Sequence, residues 1–200
     1  LPGITVRPII TLAGDHEVNE VFFENVRAPQ SGRLGAENDG WTVAKYLLEF
    51  ERGGGSAPGL KVAIQRLKAT AAGEGLLGDR AIRRKLAEAE AAVHAIEVTE
   101  KRVLSALAAG GNPGPASSML KVQGTEAVQR IDEIGVELLG IYAAPFQPES
   151  LEVGSNTPFL GPDGGVTLMP RYLNNRAATI YGGSNEVQRN IMAQLVLGLR

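Results

Sequence analysis

Apolar residues recur along this chain with two different periods, and the change from one to the other falls near residue 40. Up to Phe23 they crowd into two short runs, Ile4-Thr5-Val6-Arg7-Pro8-Ile9-Ile10 and Val18-Asn19-Glu20-Val21-Phe22-Phe23, separated by Gly14-Asp15-His16. β-branched and aromatic residues bounded by turn formers predict strands. Two or three strands cannot make an independent sheet with a covered face, so residues 1 to 30 read as the tail of a larger β-domain. The stretch from Gly32 to Gly40 is rich in Gly, Asn and Asp and reads as a linker.

From Trp41 the period is helical. Trp41, Ala44, Leu47 and Leu48 fall at 3–4 spacing, and the helix is expected to continue through Leu60, Ile64 and Leu67. A second helix fits about 79 to 108, with Ile82, Leu86, Ala89, Val93 and Ile96 on one stripe. A third fits about 115 to 141, using Leu120, Val128, Ile131, Ile134 and Leu138, with Pro113 and Pro115 punctuating the gap before it. Residues 142 to 170 are rich in Pro and Gly and read as a long loop, which in a compact domain is usually functional or interfacial. Two short helices follow, about 171 to 179 and 184 to 197. Three long amphipathic helices and a C-terminal one predict a mainly α fold, an up-and-down four-helix bundle preceded by a short β segment.

Composition narrows the function classes. An apolar share of 44% over 200 residues is ample for a packed core. The formal net charge of −2, from 20 basic and 22 acidic residues, gives no electrostatic case for nucleic acid or an anionic membrane as partner. The absence of cysteine removes disulfide and thiolate chemistry, and His16 and His94 lie too far apart in sequence to suggest a metal site. No apolar run reaches spanning length, which predicts a soluble, cytoplasmic protein. The chain starts at Leu1 in mid-pattern without an initiator Met, and the expectation is that sequence is missing upstream.

Three motifs invite a chemical reading. Gly73-Glu74-Gly75-Leu76-Leu77-Gly78 matches G-x-G-x-x-G, but a helix and not a strand precedes it, so it reads as an interhelical turn. Glu51-Arg52-Gly53-Gly54-Gly55 sets three glycines inside a helical pattern, each costing about 0.8–1 kcal/mol relative to alanine. Spacing alone leaves two readings of it: a helix break with Glu51 on a solvated face, or a place that needs side-chain-free space. Tyr181-Gly182-Gly183-Ser184-Asn185-Glu186-Val187-Gln188-Arg189 runs a two-glycine turn into an N-cap serine. A helix start with bare amides suits an anion or a developing negative charge.

This last block resembles the C-terminal signature of the acyl-CoA dehydrogenase family. Val21-Phe22-Phe23-Glu24-Asn25-Val26-Arg27-Ala28-Pro29, followed by Gly35 and Gly40-Trp41, is similar to the end of that family's middle β-domain entering its C-terminal bundle. The resemblance spans the whole chain but about half of a full-length member. It implies residues 1–36 as the tail of a truncated middle β-domain and residues 37–200 as the C-terminal helical bundle domain.

In many members the position of Gly182 holds the glutamate that removes the substrate's α-proton. In the isovaleryl-CoA and long-chain branches that position is small, and the base sits on the first long bundle helix just before an arginine. Glu51-Arg52 matches that place, so the resemblance implies Glu51 as the base. It further implies Gly182 as a backbone N–H donor to the enolate oxygen, with Gly183, Ser184 and Glu186 as FAD contacts and Arg52 and Tyr181 as substrate contacts. The implied reaction is α,β-dehydrogenation of an acyl-CoA thioester, with electron-transfer flavoprotein as acceptor.

Two motifs that other members lend to a neighbour's flavin are altered. Arg66 to Gly78 contains no Phe-Gly, and Glu137-Leu138-Leu139-Gly140-Ile141-Tyr142 replaces a Gln-x-x-Gly-Gly-x-Gly run. An acidic Glu137 beside a pyrophosphate would be repelled. The resemblance thus leaves open a homo-oligomer that has diverged and a hetero-oligomer in which a paralogous subunit supplies the missing contacts. A non-catalytic structural subunit and an acyl-CoA oxidase are the rival functions. The isolated piece is expected to bind no FAD and to be inactive. Asn174-Asn175-Arg176 could anchor the C-terminal turn or contact CoA, and Gly53-Gly54-Gly55 with the 142–170 loop could leave room for a bulky acyl group.

Overall fold

The computed structural model describes the chain from Leu1 to Leu199 apart from residues 52–54 and 112–113, with residues 48–51 described in backbone alone. The chain forms two compact units, Leu1–Gly54 and Gly55–Arg200.

In the first unit, β1 (Ile4–Ile10) and β2 (His16–Phe23) pair antiparallel, with Val6 opposite Val21 and a register shift at Ile9/Ile10. The turn closes with Thr11 N–H donating to the Asp15 carbonyl at 2.8 Å. Val6, Val18, Val21, Phe22 and Phe23 are all exposed. A two-stranded ribbon has no second layer to cover either face, as the short β-rich runs predict. The first helix of the chain, α1 (Gly40–Glu51), follows the linker. Trp41 and Leu47, expected on its buried stripe, are exposed.

The second unit is a helical bundle. Its long helices are α2 (Ala57–Gly73), α3 (Arg80–Ala108) and α4 (Ala116–Leu139), which pack on one another. A short α5 (Pro148–Leu151) interrupts the long connection, and α6 (Leu168–Asn174) and α7 (Asn185–Leu197) both pack against α4. The core is the predicted stripes meeting: Leu60, Ile64 and Leu67 from α2, Val93 and Ile96 from α3, and Ile131, Ile134 and Leu138 from α4. Burying each such side chain contributes about 1.5–3 kcal/mol. Gly135 lets the layers close, since a Cβ there would stand 3.3 Å from a Leu67 methyl and 3.2 Å from Leu168.

Local signals set most boundaries. Asp79 caps α3, its Oδ1 accepting from the N–H groups of Ala81 at 2.6 Å and Ile82 at 3.1 Å. Gly75, at φ +68°, ends α2 in the left-handed conformation, so the G-x-G-x-x-G run closes a helix and serves as the expected interhelical turn.

The expectation of one helix from Trp41 through Leu67 needs correcting. Gly55 and Ser56 are not helical, and α2 starts afresh at Ala57 with Pro58 in its first turn. Proline lacks the N–H that a continuous helix would require there and suits a helix start. The last helices shift as well. The segment expected as a helix over 171 to 179 begins at Leu168 and gives way to a single 3-10 turn at Asn175–Ala177. Among the described residues no helix is long and apolar enough to cross a membrane.

Candidate functional site

The turn joining α6 to α7 is built from short-range hydrogen bonds. Ile180 and Tyr181 N–H groups donate to the Ala177 carbonyl at 2.9 and 3.1 Å, and Asn185 N–H closes the base of the turn on the Thr179 carbonyl at 2.9 Å. Gly182 and Gly183 cross the tip with φ +66° and +89°. These are left-handed values that cost an L-residue roughly 1–2 kcal/mol.

The two glycines differ. A Cβ on Gly183 would stand 2.6 Å from Gln188 Nε2, whereas nothing lies within 4 Å of one on Gly182. Gly183 is thus closed in by the buried Gln188 amide, which would have to shift for a Cβ, and Gly182 lies in the open. No backbone carbonyl among the described residues accepts from the N–H of either glycine.

Ser184 is the N-cap of α7, as its sequence position predicts. It is extended, at φ −60° and ψ 152°, and its Oγ accepts from Val187 N–H at 3.4 Å. Glu186 stands in the first turn. Its own backbone N–H and the Ser184 hydroxyl hold its carboxyl below the ordinary range, with Arg189 and Lys121 adding attraction. An anion here complements the positive end of the helix. Tyr181 is exposed beside the glycines.

The turn rests on a polar row along α4 that pattern reading missed. Lys121 Nζ donates to Asn185 Oδ1 at 2.8 Å and to the Ala178 carbonyl at 3.3 Å, and Thr125 Oγ1 reaches Asn185 Oδ1 at 3.2 Å. One turn on, Gln129 Nε2 donates to the carbonyls of Asn175 at 3.0 Å and Arg176 at 3.2 Å. Asp132, 3% exposed, accepts from Asn175 Nδ2 at 2.6 Å and faces Arg171 at 3.7 Å. Burial pushes the Asp132 carboxyl up, opposed by the Asn175 hydrogen bond and by Arg171 and Arg176. Arg176 stacks its guanidinium 4.3 Å from the Tyr172 ring and donates to the Tyr172 carbonyl at 3.0 Å. Asn175 and Arg176 therefore act as anchors of the turn. Lys121, Thr125 and Gln129 recur at i, i+4 and i+8 on one side of α4, but the helix carries other polar residues too, so spacing alone does not single them out.

Of the remaining residues singled out in the sequence, Glu51 closes α1, but its side chain lies outside the described residues, as do Arg52, Gly53 and Gly54 entirely. Glu137, the acidic substitute in the altered flavin motif, is ion-paired across the bundle with Lys85. The pair joins α3 to α4, so the charge that would oppose a pyrophosphate has a partner within the chain.

A sequence model of the C-terminal domain of acyl-CoA dehydrogenases matches residues 38–197, and the chain belongs to the acyl-CoA dehydrogenase family. It is 34% identical over 206 residues to acyl-CoA dehydrogenase IpdE1 of Mycobacterium tuberculosis, covering 99% of this chain and 48% of that protein. It is 31% identical over 199 residues to acyl-CoA dehydrogenase FadE29 of the same organism, covering 96% and 48%. The chain thus spans about half the length of the curated relatives it matches. Among solved structures it superposes on the Tcur3481-Tcur3483 steroid ACAD with a TM-score of 0.80 at 26% identity, covering 100% of this chain and 50% of that one. It superposes on the ChsE4-ChsE5 complex from Mycobacterium tuberculosis with a TM-score of 0.78 at 26% identity, covering 99% and 50%.

Proposed function

We propose that this chain is the C-terminal part of an FAD-dependent acyl-CoA dehydrogenase, with the two-glycine turn as half of its active site. The carrying observation is that Gly182 lies at an exposed turn tip just before α7, with open space where a Cβ would stand and no backbone carbonyl of the described residues accepting its N–H. An oriented backbone donor of this kind stabilises an oxyanion without a side chain.

In this reading Glu51 takes the α-proton of an acyl-CoA thioester. The electron pair of that C–H bond becomes the new α,β double bond as the β-hydrogen departs with its own pair. Gly182 N–H donates to the thioester oxygen, where negative charge builds as the α-proton leaves. Arg52 and Tyr181 would serve as substrate contacts. Gly183, Ser184 and Glu186 would hold FAD, which when bound accepts the β-hydrogen as hydride at its N5. The unengaged amides and the ordered acceptor Glu186 suit a flavin, whose ring and ribityl edges offer both acceptors and donors. Residues 1–36 are then the tail of the middle β-domain and 37–200 the bundle domain, and electron-transfer flavoprotein is the proposed acceptor.

The test is Glu51→Gln in the complete, flavin-loaded complex. Loss of turnover with flavin retained supports the reading, and unchanged turnover removes it, leaving a non-catalytic assembly subunit. Reactivity of the reduced enzyme with O₂ separates an oxidase from a dehydrogenase.

A second element of the proposal concerns assembly. Glu137 is committed to Lys85, and the positions that lend contacts to a neighbour's flavin are altered. Two structures of similar fold, Tcur3481-Tcur3483 and ChsE4-ChsE5, are named as pairs of different chains. This favours a hetero-oligomer with a paralogous subunit over a homo-oligomer.

A further inference from the structure

Lys121 holds both ends of the turn at once. Its Nζ bonds the Ala178 carbonyl, where the chain enters the turn, and Asn185 Oδ1, where α7 begins. Asn185 is 2% exposed, and its own N–H is the bond that closes the turn's base at 2.9 Å. The Thr125 hydroxyl also lies 3.2 Å from that oxygen, its single proton shared with the Lys121 and Val122 carbonyls at 2.9 and 3.1 Å. Between these fixed ends stand Gly182 and Gly183. Glycine has more backbone freedom to lose than any other residue, so ties from outside the turn decide where its amides point.

Resting on the reading of Gly182 as the enolate donor, we propose that Lys121 is a positioning residue that sets the direction of the Gly182 N–H through Ala178 and Asn185. Burial holds the Lys121 ammonium below its ordinary value, with Glu186 opposing, so the cation is partly withdrawn from water to make these two bonds. A charge-assisted bond in such surroundings is stronger than a neutral one. Neither hydrogen-bond partner of Lys121 is a carboxylate, its attraction to Glu186 acts without a hydrogen bond, and helix α7 has a separate ion pair to α4 through Arg189 and Glu126. The shape of the turn, more than the attachment of the helix, is what Lys121 governs.

Lys121→Met keeps the stem and removes the ammonium. In the complete, flavin-loaded protein the variant is expected to speed hydrogen–deuterium exchange at residues 179–184 while leaving α3 protected. The isotope-edited carbonyl stretch of bound acetyl-CoA, which has no β-carbon to oxidise, should move back toward its free value. With the best acyl-CoA substrate, kcat should fall by up to about a hundredfold, as for a donor displaced by an ångström, with KM little changed. Lys121→Arg should restore part of each signal. Should Lys121→Met fold poorly, Asn185→Ala removes the side-chain acceptor that Lys121 bonds at the start of α7 and should give the same signs. Unchanged exchange in the turn together with an unmoved carbonyl stretch overturns the proposal. A wild-type protein that itself shifts no carbonyl on binding, while Lys121→Met still loosens the turn, overturns the Gly182 reading and leaves the tie standing.

Discussion

Glu100, on α3, reaches the start of α2 and takes over the capping that Ser56 does not perform for itself. Glu100 Oε1 accepts from Ser56 N–H at 2.6 Å, Ser56 Oγ at 3.0 Å and Ala57 N–H at 3.2 Å. Gly124 clears the site, since a Cβ there would lie 3.0 Å from Ser56 Oγ. An anion at a helix N-terminus meets both the orphan amides and the positive end of the dipole. The restart of the chain as α2, shortly after Glu51, is therefore fixed by a residue from another helix.

Glu100→Ala should lower stability by about 1–2 kcal/mol, the usual loss for a removed N-cap acceptor. Glu100→Gln, which keeps an acceptor oxygen, should lose less. Urea unfolding of the two variants checks the order, and equal, negligible losses would mean the cap carries no stability.

Alanine at the two turn glycines separates packing from backbone strain. Gly182→Ala meets open space and should cost only the left-handed backbone, roughly 1–2 kcal/mol. Gly183→Ala carries the same strain and must also displace the buried Gln188 amide, so its loss should be larger. Thermal unfolding of both variants, with the ranking as readout, tests this.

Glu97 gives the bundle an acid-side dependence. Hydrogen bonds from Lys61 and Lys101 lower its pKa from 4.5 to about 2. A carboxyl depressed in the folded state contributes stability above its unfolded value, and that contribution fades as pH falls from about 4.5 toward 2. Glu97→Gln should therefore narrow its stability gap to the parent protein across that window. Since the lysines are exposed, added salt should shrink the gap at neutral pH.

The Lys85–Glu137 pair bears on assembly. The complete protein produced without a paralogous partner should carry fewer than one flavin per subunit by absorbance against protein concentration. Co-production with the paralogous subunit should raise that ratio. One tightly bound flavin per subunit in the protein alone would contradict the hetero-oligomer.

What the sequence revealed, and what it hid, follows the range of each interaction. Asp79 and Ser184 sit next to the amides they cap, so both helix starts could be read directly. The stripes of α3 and α4 are regular enough to predict Val93, Ile96, Ile131 and Ile134 in the core. The break before α2 is masked because Leu60, Ile64 and Leu67 again fall at 3–4 spacing, while the acceptor that favours a restart is Glu100, 44 residues away. Lys121 was hidden for a related reason. A lysine on an amphipathic helix ordinarily belongs to the solvated face, and only the fold brings Ala178 and Asn185 to it. The turn could be recognised from its residues, but the row that supports it could not.

The central claim is that the Gly182 turn and Glu51 converge on one thioester. A crystal structure of the complete, flavin-loaded protein with a bound acyl-CoA analogue measures this directly. The account predicts Gly182 N within about 2.7–3.1 Å of the thioester oxygen and a Glu51 carboxylate oxygen within roughly 3–3.5 Å of the α-carbon. A thioester oxygen held by other donors, or an α-carbon faced by a different carboxylate, would contradict it.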